Sequence, residues 1–143
     1  MMEAMYRAVG LRNIVLAVRD ARSNVIAGRF GLGPETGERV KRLRFPVPYC
    51  ADVFHVAMEK NLDIIISDTA DPKIVDKLPE WYRTGIAAPT FMLLPLIVKK
   101  SKFGLIYADQ SAPNTIRIGE ADLKLLRTLR NQALIAIRQA SNI

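Results

Sequence analysis

The chain has 143 residues, half of them hydrophobic and 24% charged, with a net charge of +7 and a single cysteine. That length suits one domain with its own core, and the composition excludes a disordered tail. One thiol excludes an internal disulfide framework and suits a reducing cytoplasm, and no apolar run approaches the ~18 residues of a membrane span.

In MMEAMYRAVG, Met2, Met5, Ala8 and Val9 recur near helical spacing and Gly10 follows, which predicts a short helix with a glycine stop. Glu3 and Arg7 interrupt the apolar residues and no small-residue cleavage site follows, so no secretory signal is expected. Residues 13–19 (NIVLAVR) read as a strand, 20–23 as a turn and 24–30 (NVIAGRF) as the returning strand. GLGPETG predicts a flexible loop, and residues 41–45, where Leu43 and Phe45 alternate with Arg42 and Arg44, a half-buried strand ended by Pro46 and Pro48.

Residues 51–60 place Val53, Val56, Ala57 and Phe54 on one helical face, with Asp52 near the positive end of the helix dipole. Residues 62–66 (LDIII) predict a short buried strand, which leaves through Ser67, Asp68 and Thr69. Asp71 and Pro72 can cap and open a short helix running to Lys77 or Leu78. PTFMLLPLIVKKSKFGLIYADQ reads as two strands of a hairpin, and residues 119–139 as a helix with Leu123, Leu126, Leu129, Ala133 and Ile137 on one stripe. This order predicts an α+β domain with a mainly antiparallel sheet and helices packed on one face.

The positive charge is split between Arg39, Lys41, Arg42 and Arg44 and a hairpin tip bearing Lys99, Lys100 and Lys102. Neither cluster is interleaved with aromatic residues that could stack on bases, which argues against a nucleic-acid partner.

Three signals in order, LDIIISDTADP, TFMLLPLIVKKSKFGLIYADQ and IGEADLKLLRTLRNQALIAIRQA, resemble a GAF domain over residues 12–140. The resemblance implies a GAF/PAS-like (profilin-like) antiparallel sheet of five or six strands. It places N- and C-terminal helices on one face and a ligand pocket, walled by residues 46–88, on the other. It also implies one sensory domain spanning residues 1–143 in a longer signalling protein, with an output domain in the same polypeptide and a homodimer formed through the terminal helices. RFPVPYCADVFHVAMEK and DTADPKIVDKLPEWYR add a similarity to GAF domains attached to bacterial HDOD signalling domains.

The chain departs from specialised members of that family. The ordered Asn, Lys, Phe, Asp, Glu set of cyclic-nucleotide binders is missing, Cys50 precedes its helix instead of standing where bilin attaches, and one cysteine cannot make the disulfide of the free methionine sulfoxide reductases. The ligand and any cofactor therefore stay unknown, and no catalytic or metal site is expected. As candidate ligand-binding residues the sequence offers His55, Asp68, Thr69, Asp71, Trp81, Tyr82, Arg83, Phe91 and Met92. Asp68, Thr69 and Asp71 leave a strand as pocket-facing groups would, but an Asx turn and a helix cap are the favoured reading of them. Trp81, Tyr82 and Arg83 could stack on a flat anionic ligand or plug an empty pocket. Phe91 and Met92 alternate, so one of them faces the pocket, and Leu94, Leu96 and Val98 share the side of Met92. Cys50 reads as a small buried residue, with a redox centre as the alternative. A GAF-fold module that only dimerises is the second functional reading.

Overall fold

The computed structural model describes residues 11–141, and the amino-terminal helix expected over residues 2–9 lies outside them. Six strands form one sheet: β1 (Asn13–Asp20), β2 (Val25–Leu32), β3 (Arg44–Pro46), β4 (Ile64–Ile66), β5 (Thr90–Val98) and β6 (Ser101–Gln110). Their order is β3-β2-β1-β6-β5-β4, and every neighbouring pair is antiparallel. The helices are α1 (Thr36–Arg42), α2 (Val53–Lys60), α3 (Pro72–Val75) and α4 (Glu120–Ser141), with a π-helical turn at Tyr82–Ile86.

The β1–β2 hairpin turns where Asp20 accepts hydrogen bonds from the Arg22 amide and the Ser23 hydroxyl, with Asn24 in the left-handed region that asparagine tolerates. β5 is apolar on both faces because both are covered: Phe91 and Leu93 point to one core, and Met92, Leu94, Leu96 and Val98 to the other. Pro95 falls beyond the last residue of β5 that β4 pairs, so a missing N–H forfeits no bond on that side. Gly104 faces both Leu96 and Val18, and a Cβ there would run into the Ala17 carbonyl, which explains a glycine mid-strand.

The outer core lies under α4, where Leu126, Leu129, Ala133 and Leu134 cover Ile14, Met92, Leu94, Leu96, Ile106 and Ala108. Burying each such leucine contributes roughly 1.5–3 kcal/mol. Glu120 and Asp122 stand in the first turn of α4, where negative charge complements the dipole. The inner core lies under α2, α3 and the π-helical turn. Helices therefore occupy both faces of the sheet, not the one face that element order suggested.

Three local expectations are corrected. Residues 36–42 are helical, so the predicted loop is shorter and the predicted strand at 41–45 shrinks to Arg44–Pro46. Ion pairs at i,i+4, Glu35 to Arg39 and Glu38 to Arg42, favour one helical turn over four residues of alternation. β4 is an edge strand whose Ile65 is 43% exposed, not a buried one. Cys50 is exposed, because it sits in the irregular segment between β3 and α2 and not under a helix. A disulfide-exchange reagent at pH 8 should accordingly titrate one thiol in the native protein within minutes; a thiol that reacts only in denaturant would contradict that placement.

Candidate functional site

The inner face of the sheet is built from aromatic rings. Phe54 from α2 stacks on Phe91 from β5 at 5.7 Å, and Phe91 in turn meets Tyr82 at 4.8 Å and Tyr107 at 5.7 Å. Phe54, Tyr82, Phe91 and Tyr107 are each less than 2% exposed. Trp81 is half-buried at the rim, 4.8 Å from Phe54 and stacked on Phe45 at 6.2 Å. The surface on which a flat ligand would lie is thus occupied by the chain's own rings.

A polar network lies beside the rings. The Tyr82 hydroxyl donates to the Ala88 carbonyl at 3.1 Å and lies 3.4 Å from the Tyr107 hydroxyl, which donates to Asp109 at 2.6 Å. Asp109 is fully buried and also accepts from Asn13 Nδ2 at 2.9 Å and from Arg39 Nε. Glu35 joins through Arg12, Asn13 and Arg39. Burial pushes the Tyr82 and Tyr107 phenols up, and Asp109 adds to both shifts, so each hydroxyl stays protonated and can donate. Burial opposes the Arg39 charge, but the hydrogen bond and charge of Asp109 outweigh it and raise the guanidinium. The sequence reading missed this network; polar Asn13 and Asp109 at paired ends of apolar β1 and β6 were its only signal.

The nine candidate residues separate into groups. Thr69, Tyr82 and Arg83 line one concavity of about 250 Å³ between α3 and the π-helical turn, together with Val75, Leu78 and Ala87. Thr69 and Tyr82 share the Ala88 carbonyl as acceptor, the Thr69 hydroxyl at 3.0 Å. Arg83 is exposed at the mouth, without an ion pair among the described residues. Trp81 and Phe91 belong to the aromatic layer beneath.

The other four are engaged elsewhere. His55 is buried, with Nδ1 2.9 Å from Asp52 Oδ2 and Nε2 2.7 Å from the Pro46 carbonyl, clipping α2 to the end of β3. Asp68 accepts from the Ala70 amide and Asp71 from the Lys73 amide, each at 2.9 Å, as an Asx turn and a helix cap do. Met92 lies in the outer core under α4, so it shares no face with Phe91.

No protein-family model matches the sequence, and no curated protein does. Solved structures do. The GAF domain from an Acinetobacter phosphoenolpyruvate-protein phosphotransferase superposes with a TM-score of 0.77 at 14% identity, over 99% of this chain and 80% of that one. The GAF domain of a two-component sensor histidine kinase from Bacillus halodurans gives 0.72 at 13%, over 98% and 92%. The free methionine-R-sulfoxide reductase from Neisseria meningitidis, in complex with its substrate, gives 0.60 at 19%, over 96% and 75%. Identities this low carry the fold and leave function to the residues.

Proposed function

Because this chain has the GAF fold, we propose that it is a sensory domain that binds a small flat molecule with an anionic group in the concavity lined by Thr69, Tyr82 and Arg83. The observation that carries the reading is that cavity's position. It opens beside a guanidinium with no ion pair among the described residues, and the ring of its floor, Tyr82, packs edge-on at 6.2 Å against Tyr107, whose hydroxyl donates to Asp109 on β6. Tyr107 and Asp109 point inward while Ile106 and Ala108, between and before them, pack in the core under α4. Displacing Tyr82 thus acts on the strand that α4 rests on. A ligand favouring one arrangement of this strand and helix shifts their population.

On this reading the chain regulates rather than catalyses. It is a single domain of a longer cytoplasmic protein, carries an output domain in the same polypeptide, and forms a homodimer through its terminal helices. The GAF domain of a sensor histidine kinase among the structural neighbours supports that arrangement. On α4, Leu134 is buried against the sheet, whereas Ile135 is 56% exposed and faces outward as a dimer-seam residue would.

A thermal-shift series with purines, nucleotides, amino acids and aromatic carboxylates tests the ligand. A binder present at 100 times its Kd stabilises by about 2.7 kcal/mol, about 5–10 °C for a chain of this size. Arg83→Gln should leave the unliganded Tm within about 1 °C, since exposed substitutions usually change little, and weaken an anionic hit about tenfold. Equal affinity in that variant would remove the concavity from consideration.

The aromatic filling favours one second reading, a dimerisation module with no small ligand. It predicts no thermal shift with any compound, and a concentration-dependent dimer by analytical ultracentrifugation that Ile135→Asp disrupts.

A further inference from the structure

The β5–β6 hairpin projects beyond its neighbours, since β4 pairs only as far as Leu93 and β1 pairs only as far as Gly104. Its two-residue tip, Lys99–Lys100, and Lys102 converge with Lys60 and Asn61 at the C-terminal end of α2 around a concavity of about 400 Å³. Among the described residues Glu59 is the one carboxylate there, held by Lys102 Nζ at 2.7 Å. Four lysines against one carboxylate leave three positive charges in excess.

The backbone supplies an independent observation. Lys99 has φ 57°, the left-handed region. Two-residue hairpin loops give such positions to glycine, asparagine or aspartate, because a longer side chain there is strained. Asn61, across the same concavity, has φ 52° and is the residue type expected for it. A lysine at 99 therefore sacrifices conformational ease for charge, and does so beside three other cations that repel it.

We propose that the hairpin tip and the end of α2 form a second binding site, for the pyrophosphate portion of a small phosphorylated ligand. Compact ammonium groups on flexible stems match a tetrahedral, multiply charged anion, which needs no planar fork. No aromatic side chain among the described residues lines the concavity, so it holds the phosphates without stacking on a base.

The site is separate from the Arg83 concavity, which makes the two readings independently testable. Calorimetric titration with pyrophosphate should give binding at least tenfold tighter than with inorganic phosphate, weakening as salt rises. Asparagine suits the left-handed position, so the Lys99→Asn, Lys100→Asn double variant should keep its Tm while losing at least tenfold in pyrophosphate affinity. Arg83→Gln should bind pyrophosphate as the parent does. The proposal is overturned by equal affinity for phosphate and pyrophosphate, or by an unaltered double variant. It is also overturned by binding to phosphoinositide-containing vesicles without binding of free pyrophosphate, which would make the patch a lipid-surface contact.

Discussion

Asp109→Ala should lower the Tm by about 10–15 °C, the largest loss expected from a single polar residue here. Asp109 has no solvent exposure and receives three donors, from Asn13, Arg39 and Tyr107. Removing it leaves Arg39, only 12% exposed at its side chain, with Glu35 at 3.3 Å as its remaining ion-pair partner among the described residues. Truncating one member of a buried ion pair typically costs about 3–5 kcal/mol, because the other charge stays desolvated, and each kcal/mol is about 2–4 °C for a chain near this length. Tyr107→Phe removes one hydrogen bond and leaves the charge pair, so it should cost only about 1–3 kcal/mol. Adding Arg39→Met to Asp109→Ala should recover part of the loss, since the uncompensated guanidinium is gone. A double variant as unstable as the sum of its parts, measured by denaturant unfolding, would show that the pair is not coupled as the geometry requires.

The residues of this network show where sequence reading stops. Asp109 lies 96 positions from Asn13 and 70 from Arg39, and no local pattern links residues so far apart. The β5–β6 hairpin and α4 were legible for the opposite reason. Their apolar periods run over 9, 10 and 22 residues, long enough to distinguish strand from helix. α1 was misread because Leu43 and Phe45 supply barely two periods of alternation, while its i,i+4 charge pairs carried the better signal. Asp68, Thr69 and Asp71 are ambiguous in principle: the side chains that turn a backbone are those that hold a polar ligand, and here nearby amides and a carbonyl take them. Pattern also placed Met92 and Phe91 on opposite faces, but could not say which face would be filled. That depends on whether rings from α2 and the π-helical turn reach β5 and β6, which is tertiary information.

Phe91→Ala tests that filling directly and should cost about 3–5 kcal/mol, as removing a fully buried aromatic side chain does when the surroundings cannot collapse. The surroundings here are stiff. Phe54, Tyr82 and Tyr107 come from three different elements, and two of them are fixed by hydroxyl hydrogen bonds to Ala88 and Asp109. The space vacated is walled by rings, and an apolar cavity of that kind stays dry and accepts a molecule such as benzene. Benzene or indole should therefore raise the Tm of the Phe91→Ala protein and leave the parent unchanged, because in the parent the same volume is already occupied. If the parent responds equally, small aromatics reach the sheet without the truncation and the rings move aside, which would shift the sensing site from the Arg83 concavity to the aromatic layer itself. If neither responds and the variant loses less than about 1 kcal/mol, the layer collapses on truncation, and close packing on that face is not what holds α2 and the π-helical turn to the sheet.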